Sequence, residues 1–310
     1  MTGMQDARIA VIGAGLMGHG IAYLFAAAGH RVEVQDPSQA ALDAIPDRID
    51  EIAAFLGRPS SPAPLISATR ELHSAVAEAD IIIEAAPEKL ALKQDIFENL
   101  ERLARPDAIL CSNTSVIPIT SIAARVEDKS RVLGTHFWNP PHLVPLVEIV
   151  LMSEANRPAA ETMETLLRSI GRHPVLVNRD IPGFIGNRLQ HALKREAIAL
   201  VAAGVCDAET IDDVVKLGFG ARLAVLGPLE QSDLVGLDLT KAIHDVLIPD
   251  LDVTPATHDY LNALVAKGET GMKTGKGFRH WTPEQAEATR ERLRAFLAAS
   301  AKSQADTASR

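Results

Sequence analysis

The first half of the chain alternates short runs of apolar residues with longer amphipathic stretches. Residues 8–12 (RIAVI) form the first run and stop at a glycine, which is typical of a buried parallel strand. The same pattern predicts strands at 30–35, 80–83, 108–111, 131–136, 144–150 and 174–177. Helices are predicted at 16–28, 37–56 and 89–103, and a Pro/Ser-rich loop at 57–64. Strands that alternate with helices indicate a doubly wound, mostly parallel sheet.

The second part of the chain shows only the helical periodicity. Helices are predicted at 185–203, 208–217, 228–246, 256–267 and 283–299, and no further strand pattern follows. This change of pattern predicts a domain boundary near Asp180. We therefore expect an α/β domain over residues 1–180 and an all-helical domain over residues 181–310, which suits a chain of 310 residues.

Composition and charge exclude several classes of protein. The net charge of −9 argues against general binding to nucleic acid or to an anionic membrane. The longest apolar run has ten residues, well below the ~18–20 that span a bilayer, and the N-terminus has no basic segment of a secretion signal. Cys111 and Cys206 make neither a disulfide framework nor a metal-binding spacing. We expect a soluble, cytoplasmic protein that holds no metal.

A glycine motif follows the first predicted strand. The segment GAGLMG places Gly13, Gly15 and Gly18 in the pattern G-x-G-x-x-G, with Leu16 and Met17 between the last two glycines. In this pattern the first glycine permits a tight turn, the second lets backbone N–H groups approach a pyrophosphate, and the third lets the helix pack on the strand. The motif predicts a dinucleotide site, although a glycine-rich turn without a ligand has the same letters.

An acidic residue at the end of the second strand strengthens that prediction. Asp36 lies 23 residues after Gly13, where a carboxylate can accept hydrogen bonds from both ribose hydroxyls of an adenosine. The next residues, Pro37 and Ser38, offer no arginine for a 2′-phosphate. The pattern therefore favours NAD over NADP.

A histidine and a glutamate lie at the ends of two strands joined by a Pro-Pro turn. His136 and Glu148 bound the segment HFWNPPHLVPLVE, and a hairpin would bring their side chains together. An imidazole can remove an alcohol proton while a carboxylate on its other nitrogen fixes the tautomer. Such a base is what hydride transfer from an alcohol requires. The spacing alone leaves open that the pair is a core histidine beside a chance acid.

Polar residues near these strands extend the candidate site. The run from Ser112 to Ser115 (SNTS) follows the strand that ends at Cys111, at the sheet edge where open α/β sheets bind ligands. Its hydroxyl groups suit either a substrate oxygen or the cap of the next helix. Asn187, on the first helix past the boundary, is placed to reach the same cleft.

The motifs GAGLMGHGIA, SNTS, GTHFWNPP, LVEIV, DIPGFIGNRL and GMKTGKGF, taken in this order, resemble the 3-hydroxyacyl-CoA dehydrogenase family over nearly the whole chain. The resemblance implies a Rossmann-type NAD-binding domain followed by a helical dimerisation domain, and hence a homodimer. It also implies residue roles. His136 would be the base, Glu148 its partner, and Ser115, Asn139 and Asn187 would hold substrate, while Glu88 and Lys93 would line the cofactor site.

One stretch departs from the family pattern. Members that act on acyl-CoA carry a lysine-rich helical hairpin after the second strand, whereas residues 37–83 here contain no lysine. Three arginines face seven acidic residues in that stretch, so the phosphates of CoA would gain little attraction. The segment around Asn139 is more similar to branches that act on free acids, such as L-gulonate 3-dehydrogenase and the pyridine-carboxylate dehydrogenase of pyridoxine breakdown.

These observations favour an NAD-dependent dehydrogenase that oxidises a hydroxyl group β to the carboxylate of a small free hydroxy acid. Two alternatives remain open. One is a 3-hydroxyacyl-CoA (3-hydroxybutyryl-CoA) dehydrogenase, and the other is a non-catalytic, crystallin-like protein on the same fold. A free acid needs a cation near the cleft, for which the sequence offers Arg188, Arg222 and Lys273. Short-chain dehydrogenases are excluded because neither Tyr23 nor Tyr260 has a lysine four residues later.

Overall fold

The computed structural model describes residues 6–58 and 60–308, and side chains as far as residue 301. Residues 1–5, on which the prediction about a secretion signal partly rests, lie outside the described residues. The chain divides into two compact units, one of Met1–Arg188 with Ala295–Arg310 and the other of Leu189–Arg294. No helix in the described part of the chain is both long and apolar enough to cross a membrane.

An eight-stranded sheet forms the centre of the first unit. Its strands are β1 (Ile9–Ile12), β2 (Val32–Gln35), β3 (Ile66–Thr69), β4 (Ile81–Glu84), β5 (Ile109–Ser112), β6 (Val132–Phe137), β7 (Leu146–Val150) and β8 (His173–Val177). They lie in the order β3-β2-β1-β4-β5-β6-β7-β8, and every neighbouring pair is parallel except β6 and β7. This is the strand order of a doubly wound dinucleotide-binding sheet with two strands added. The predicted fold class is confirmed.

Helices cover both faces of this sheet. They are α1 (Leu16–Ala27), α2 (Gln39–Asp43), α3 (Ile45–Phe55), α4 (Leu72–Val76), α5 (Leu90–Leu103), α6 (Ile119–Ile122) and α7 (Arg157–Ser169). Successive residues of β1 point to opposite faces, so Ile9 and Val11 belong to one apolar cluster and Ala10 and Ile12 to another. With both faces buried, the strands read as continuous apolar runs, which is why the sequence revealed them.

The second unit is helical. Its helices are α8 (Gly186–Ala202), which starts in the first unit, α9 (Ala208–Leu217), α10 (Pro228–Val235), α11 (Leu237–Leu247), α12 (Asp259–Ala266) and α13 (Pro283–Ala308), which ends in the first unit. Among the described residues 189–294, only Leu264 and Ala286 are buried. A helical unit of this size with so few buried side chains lacks a core of its own.

Two predicted helices need correction, and one strand and three α-helices were missed. The single helix predicted at 37–56 is two helices, since α2 ends before Ala44 and α3 restarts with Pro46 in its first turn. The helix predicted at 228–246 is broken at Gly236, whose φ of +99° no helix allows. Strand β3 was missed because it is a half-exposed edge strand without apolar alternation, and α4, α6 and α7 were missed as well.

Candidate active site

The glycine loop lies between β1 and α1, at the point where the strand order reverses. Gly13 has a φ of +108°, and a Cβ atom there would lie 2.8 Å from the carbonyl oxygen of Ala85. A Cβ atom at Gly18 would lie 1.7 Å from the carbonyl oxygen of Gly13. Around Gly15 the space is open within 4 Å. The first and third glycines are therefore required by packing, and the second leaves the backbone accessible to a ligand.

The helix that follows presents its first turn at this loop. Leu16 is 63% exposed, whereas Met17 is half-buried and packs against the core. The free N–H groups at the start of a twelve-residue helix form a positive pole that attracts a pyrophosphate. The loop and α1 thus have the shape and polarity that a dinucleotide needs.

Asp36 is fixed at the end of β2 by two backbone hydrogen bonds. Its Oδ2 accepts one from the N–H of Ala14 at 2.8 Å, and its Oδ1 accepts one from the N–H of Ser38 at 2.9 Å. The carboxylate therefore lies beside the glycine loop, where it disfavours a 2′-phosphate by charge repulsion. The sequence did not indicate that an arginine lies next to this segment. The Nε–H of Arg70 donates to the carbonyl oxygen of Pro37, the residue after Asp36, at 3.2 Å.

His136 and Glu148 face each other across the antiparallel pair β6 and β7. The two residues are in direct register, so their side chains leave the same face of the sheet. Nδ1 of His136 lies 2.8 Å from Oε2 of Glu148, and both side chains are at least 95% buried. With Nδ1 held by the carboxylate, the nitrogen that is left to accept a proton is Nε2.

The second oxygen of Glu148 is held by the start of α8. Oε1 accepts hydrogen bonds from the N–H groups of Ile185 at 2.9 Å and Gly186 at 3.0 Å. Burial by itself raises the pKa of Glu148, but the hydrogen bonds from His136 and from these two N–H groups outweigh it, so the pKa is lower than the ordinary value. Glu148 is therefore a carboxylate at neutral pH.

The polar run after β5 divides into buried and exposed side chains. The Oγ–H of Ser112 donates to Oε2 of Glu84 at 2.6 Å, and Oδ1 of Asn113 accepts from the N–H of Phe137 at 2.8 Å. Thr114 Oγ1 accepts from a backbone N–H three residues on, as a helix cap does. Ser115 alone is exposed. Three of the four polar side chains thus support the loop, and Ser115 is free to contact a ligand.

The two asparagines of the predicted site lie in different surroundings. The Nδ2–H of Asn187 donates to the carbonyl oxygen of Ser115 at 2.9 Å, which connects the start of α8 with the polar loop. Asn139 is exposed in the turn after β6, and among residues 6–58 and 60–301 no hydrogen bond joins its side chain to the other candidates. These contacts bring Ser115, His136, Glu148 and Asn187 together, and none of them includes Asn139.

A buried charge network supports the loop from below. Lys93 is 1% exposed, and its Nζ lies 2.7 Å from Oε1 of Glu84 and 3.3 Å from Oε2 of Glu88. Oε1 of Glu88 accepts from Thr114 Oγ1 and, at 3.0 Å, from the N–H of Ser115. Burial tends to raise the pKa of Glu88, yet these hydrogen bonds and Lys93 together lower it. Lys93 therefore holds the Ser115 loop through the two glutamates.

Sequence reasoning overlooked Glu84 and Gly186 as parts of the site. Glu84 ends a strand of three isoleucines, and a fully buried carboxylate in that place needs a cation such as Lys93 nine residues later. Gly186 is the second N–H donor to Glu148. Glu84 could have been predicted from its charge at the end of the apolar run, but nothing in the sequence indicates the role of Gly186.

The fold and the glycine loop define a dinucleotide-binding protein with a Rossmann-type domain. Family models agree with this class. Residues 8–181 match the NAD-binding domain of 3-hydroxyacyl-CoA dehydrogenase, and residues 183–281 match the C-terminal domain of the same enzyme. The chain belongs to the 3-hydroxyacyl-CoA dehydrogenase family. It is an NAD-dependent oxidoreductase that acts on hydroxyl groups, as the resemblance implied.

Three relatives illustrate the range of this family. A 5-formyl-3-hydroxy-2-methylpyridine 4-carboxylate 5-dehydrogenase from Mesorhizobium japonicum is 36% identical over 301 residues, which covers 94% of this chain and 96% of that protein. A 3-hydroxybutyryl-CoA dehydrogenase from Clostridioides difficile is 35% identical, covering 87% and 98%. The crystal structure of a dehydrogenase for the same pyridine acid, described as an NAD+-dependent dismutase, has a TM-score of 0.88 at 34% identity and covers 95% and 97%.

Proposed function

We propose that this enzyme oxidises a hydroxyl group close to the carboxylate of a small free acid, with His136 as the base. The observation that carries the proposal is the buried pair of His136 and Glu148, joined by the 2.8 Å contact between Nδ1 and Oε2. A histidine with one nitrogen fixed by an ionised carboxylate has the other nitrogen ready to take a proton.

Oxidation of the alcohol moves a hydride and a proton, and each of them needs an acceptor. The alcohol carbon loses a hydride, its oxygen loses a proton, and a C=O double bond forms. When NAD is bound, its nicotinamide ring supplies the hydride acceptor. Nε2 of His136 takes the proton, and the negative Glu148 stabilises the resulting imidazolium. In the reverse direction the same imidazolium returns the proton to the alkoxide.

Ser115 and Asn187 are proposed to position the substrate oxygen. The hydroxyl group of Ser115 is exposed, and Asn187 is anchored to the carbonyl oxygen of the same serine. Donors fixed before the substrate arrives stabilise developing negative charge on the oxygen without reorganisation. Asn139 is proposed to contact the substrate from the turn after β6. On the cofactor side, the glycine loop with Leu16 and Met17 would hold the pyrophosphate, and Asp36 the ribose.

Glu88 and Lys93 are proposed to act on the cofactor side through the loop that carries Ser115. Glu88 has an exposed fraction of 38% and is the member of the network that a cofactor can reach. Lys93 is enclosed, and its ammonium group contacts both glutamates and holds them in place.

Two observations support a free acid over a CoA thioester. The segment after β2 contains no lysine between residues 37 and 83, so it offers little attraction to the CoA phosphates. The Mesorhizobium relative is named for a free pyridine carboxylate. That name puts the reacting formyl group on ring carbon 5, beside ring carbon 4 with its carboxylate. The reacting carbon there is one bond further from the carboxylate than the β carbon that we predicted.

The cation that binds the substrate carboxylate is proposed to be one of three residues, Arg188, Arg222 or Lys273. Arg188 is exposed in the first unit, and its guanidinium donates to the carbonyl oxygen of Pro182 at 3.5 Å. Arg222 and Lys273 are exposed side chains of the helical unit. Arg188 is favoured among them because it belongs to the same compact unit as His136 and Glu148.

A homodimer is proposed from the helical unit. Large apolar side chains lie open along its helices, including Leu217 (83% exposed), Leu229 (79%) and Val246 (79%). Exposed apolar surface on this scale marks an interface between chains. A second copy of the chain is the partner that the family resemblance implies.

Light scattering after gel filtration tests the dimer. We expect a mass of twice 33.2 kDa at micromolar concentration, because the apolar helices would otherwise face water. The mass of a single chain across the concentration range would contradict the proposal.

Replacing His136 by glutamine tests the base. His136→Gln should lower kcat by about 10²- to 10⁴-fold, because glutamine accepts no proton at neutral pH. The affinity for NADH, measured by fluorescence titration, should stay within about threefold, since the glycine loop is untouched. His73→Gln, at an exposed site on α4, is the matched control and should retain full turnover. Turnover near that of the wild type in His136→Gln would remove His136 from the mechanism.

Replacing Glu148 by glutamine tests the partner of the base. The loss of a negative charge beside His136 disfavours the imidazolium, so the acidic limb of the pH profile of kcat for oxidation should move to lower pH. Turnover should fall as well, because the tautomer is no longer fixed. Glu161→Gln, an exposed site on α7, is the control. An acidic limb at the same pH in Glu148→Gln and in the wild type would argue against the pair.

A comparison of substrates decides between the free acid and the thioester. The probes are 5-formyl-3-hydroxy-2-methylpyridine 4-carboxylate and acetoacetyl-CoA, whose carbonyl groups are reduced with NADH, and L-3-hydroxybutyrate, which is oxidised with NAD+. We expect kcat/KM for a free acid to exceed that for acetoacetyl-CoA by at least about tenfold, since the CoA phosphates lack cations here. Saturation by micromolar acetoacetyl-CoA, with slow turnover of both acids, would favour the acyl-CoA activity.

A further inference from the structure

Trp138 lies against the proposed base. It directly follows β6, and its ring centroid is 5.3 Å from that of His136, with an angle of 51° between the two planes. Its side chain is half-buried, so part of the indole remains open to solvent. The ring is therefore a wall of the site that a substrate beside His136 would meet.

The space for this indole exists because residue 186 is a glycine. A Cβ atom at Gly186 would lie 2.2 Å from Cζ2 of Trp138 and 3.0 Å from its Cη2. No side chain fits there unless the indole moves. The N–H of the same glycine donates to Oε1 of Glu148. The position of the indole is thereby coupled to the backbone that holds the carboxylate partner of His136.

The indole nitrogen is not explained by packing. Nε1 of Trp138 is buried, and within residues 6–58 and 60–301 no hydrogen bond reaches it. A phenylalanine would fill the same place without leaving a donor unsatisfied, and buried donors without partners are rare because they cost free energy. The larger ring of tryptophan therefore indicates a role in contact with a ligand, to which it offers more flat apolar area than phenylalanine does.

We propose that Trp138, admitted by Gly186, determines the substrate specificity of this site in favour of planar aromatic acids. The ring of the substrate lies against the open part of the indole while its reacting carbon is beside His136. This inference rests on the proposed oxidation of a free acid and specifies which class of acid is preferred. An aliphatic hydroxy acid makes no flat contact and gains little from the indole.

Kinetics of Trp138→Phe provide the first test. The variant should lower kcat/KM for 5-formyl-3-hydroxy-2-methylpyridine 4-carboxylate by about tenfold or more, because it loses ring area beside the substrate. The value for L-3-hydroxybutyrate should change by less than about threefold. Trp281→Phe, in the helical unit, is the matched control and should leave the ratio of the two values unchanged. Equal losses for both acids would overturn the proposal.

Two variants together test the role of Gly186, so that the test does not depend on the folding of Gly186→Val alone. Gly186→Val should displace the indole and reduce the preference for the aromatic acid as Trp138→Phe does. In the double variant Trp138→Phe/Gly186→Val, the smaller ring makes room for the valine, so the thermal midpoint should rise above that of Gly186→Val alone. A midpoint equal to or below that of Gly186→Val would show that the two residues are not coupled as proposed.

Fluorescence tests the contact itself. The chain has two tryptophans, so in Trp281→Phe the emission comes from Trp138 alone. The pyridine acid should quench this emission saturably at concentrations near its KM, and L-3-hydroxybutyrate should not. Trp138→Phe, in which only Trp281 emits, corrects for absorption by the acid. An active wild-type enzyme without this quenching would overturn the role of Trp138 alone, whereas an enzyme inactive on both free acids would overturn the proposed function.

Discussion

The candidate site depends on the carboxylate of Glu148. Its two oxygens bind groups from different parts of the chain, because Oε2 contacts His136 on β6 and Oε1 accepts the N–H groups that begin α8. A buried carboxylate is tolerated only when such partners replace water. One side chain therefore fixes the tautomer of the histidine and also places Asn187, which follows the second N–H donor, beside Ser115. The loss of this charge would loosen the histidine and the asparagine together.

A second buried network fixes the loop that carries Ser115, as Glu148 fixes His136. Lys93 reaches back from α5 to Glu84 at the end of β4, and Glu84 in turn accepts from Ser112 at the end of β5. The carboxyl ends of two adjacent strands are thus joined by charge and by hydrogen bonds as well as by the sheet. Interactions of this kind are directional, so they define a geometry where apolar packing would define only a volume. The exposed hydroxyl of Ser115 is presented by a loop that is fixed from beneath.

The sequence revealed most of the sheet because strands buried on both faces show as apolar runs, and it revealed the His136 and Glu148 pair because a hairpin imposes register. It did not reveal β3, whose edge position removes the pattern, or the break at Gly236, which depends on a backbone angle. In the site, it left open whether the hydroxyl groups in the run from Ser112 to Ser115 hold a substrate oxygen or cap the next helix, and three of the four polar side chains of this run bind the protein itself. Long-range partners such as Arg70 beside Pro37 carry no local signal, since 33 residues separate them. The domain boundary near Asp180 and the roles of the site residues stay predictions.

The helical unit shows a different relation between sequence and structure. Its helices were visible because they are amphipathic, yet the apolar faces that made them visible remain largely exposed in a single chain. Amphipathic periodicity predicts that the apolar face of a helix is buried, but it does not indicate whether the residues that bury it belong to the same chain. In the first unit the sheet provides that cover, so the fold follows from one sequence. In the second unit the same physical rule requires apolar surface that residues 189–294 do not supply. In the homodimer that we propose, a second copy supplies it, and the stability of this unit then depends on protein concentration.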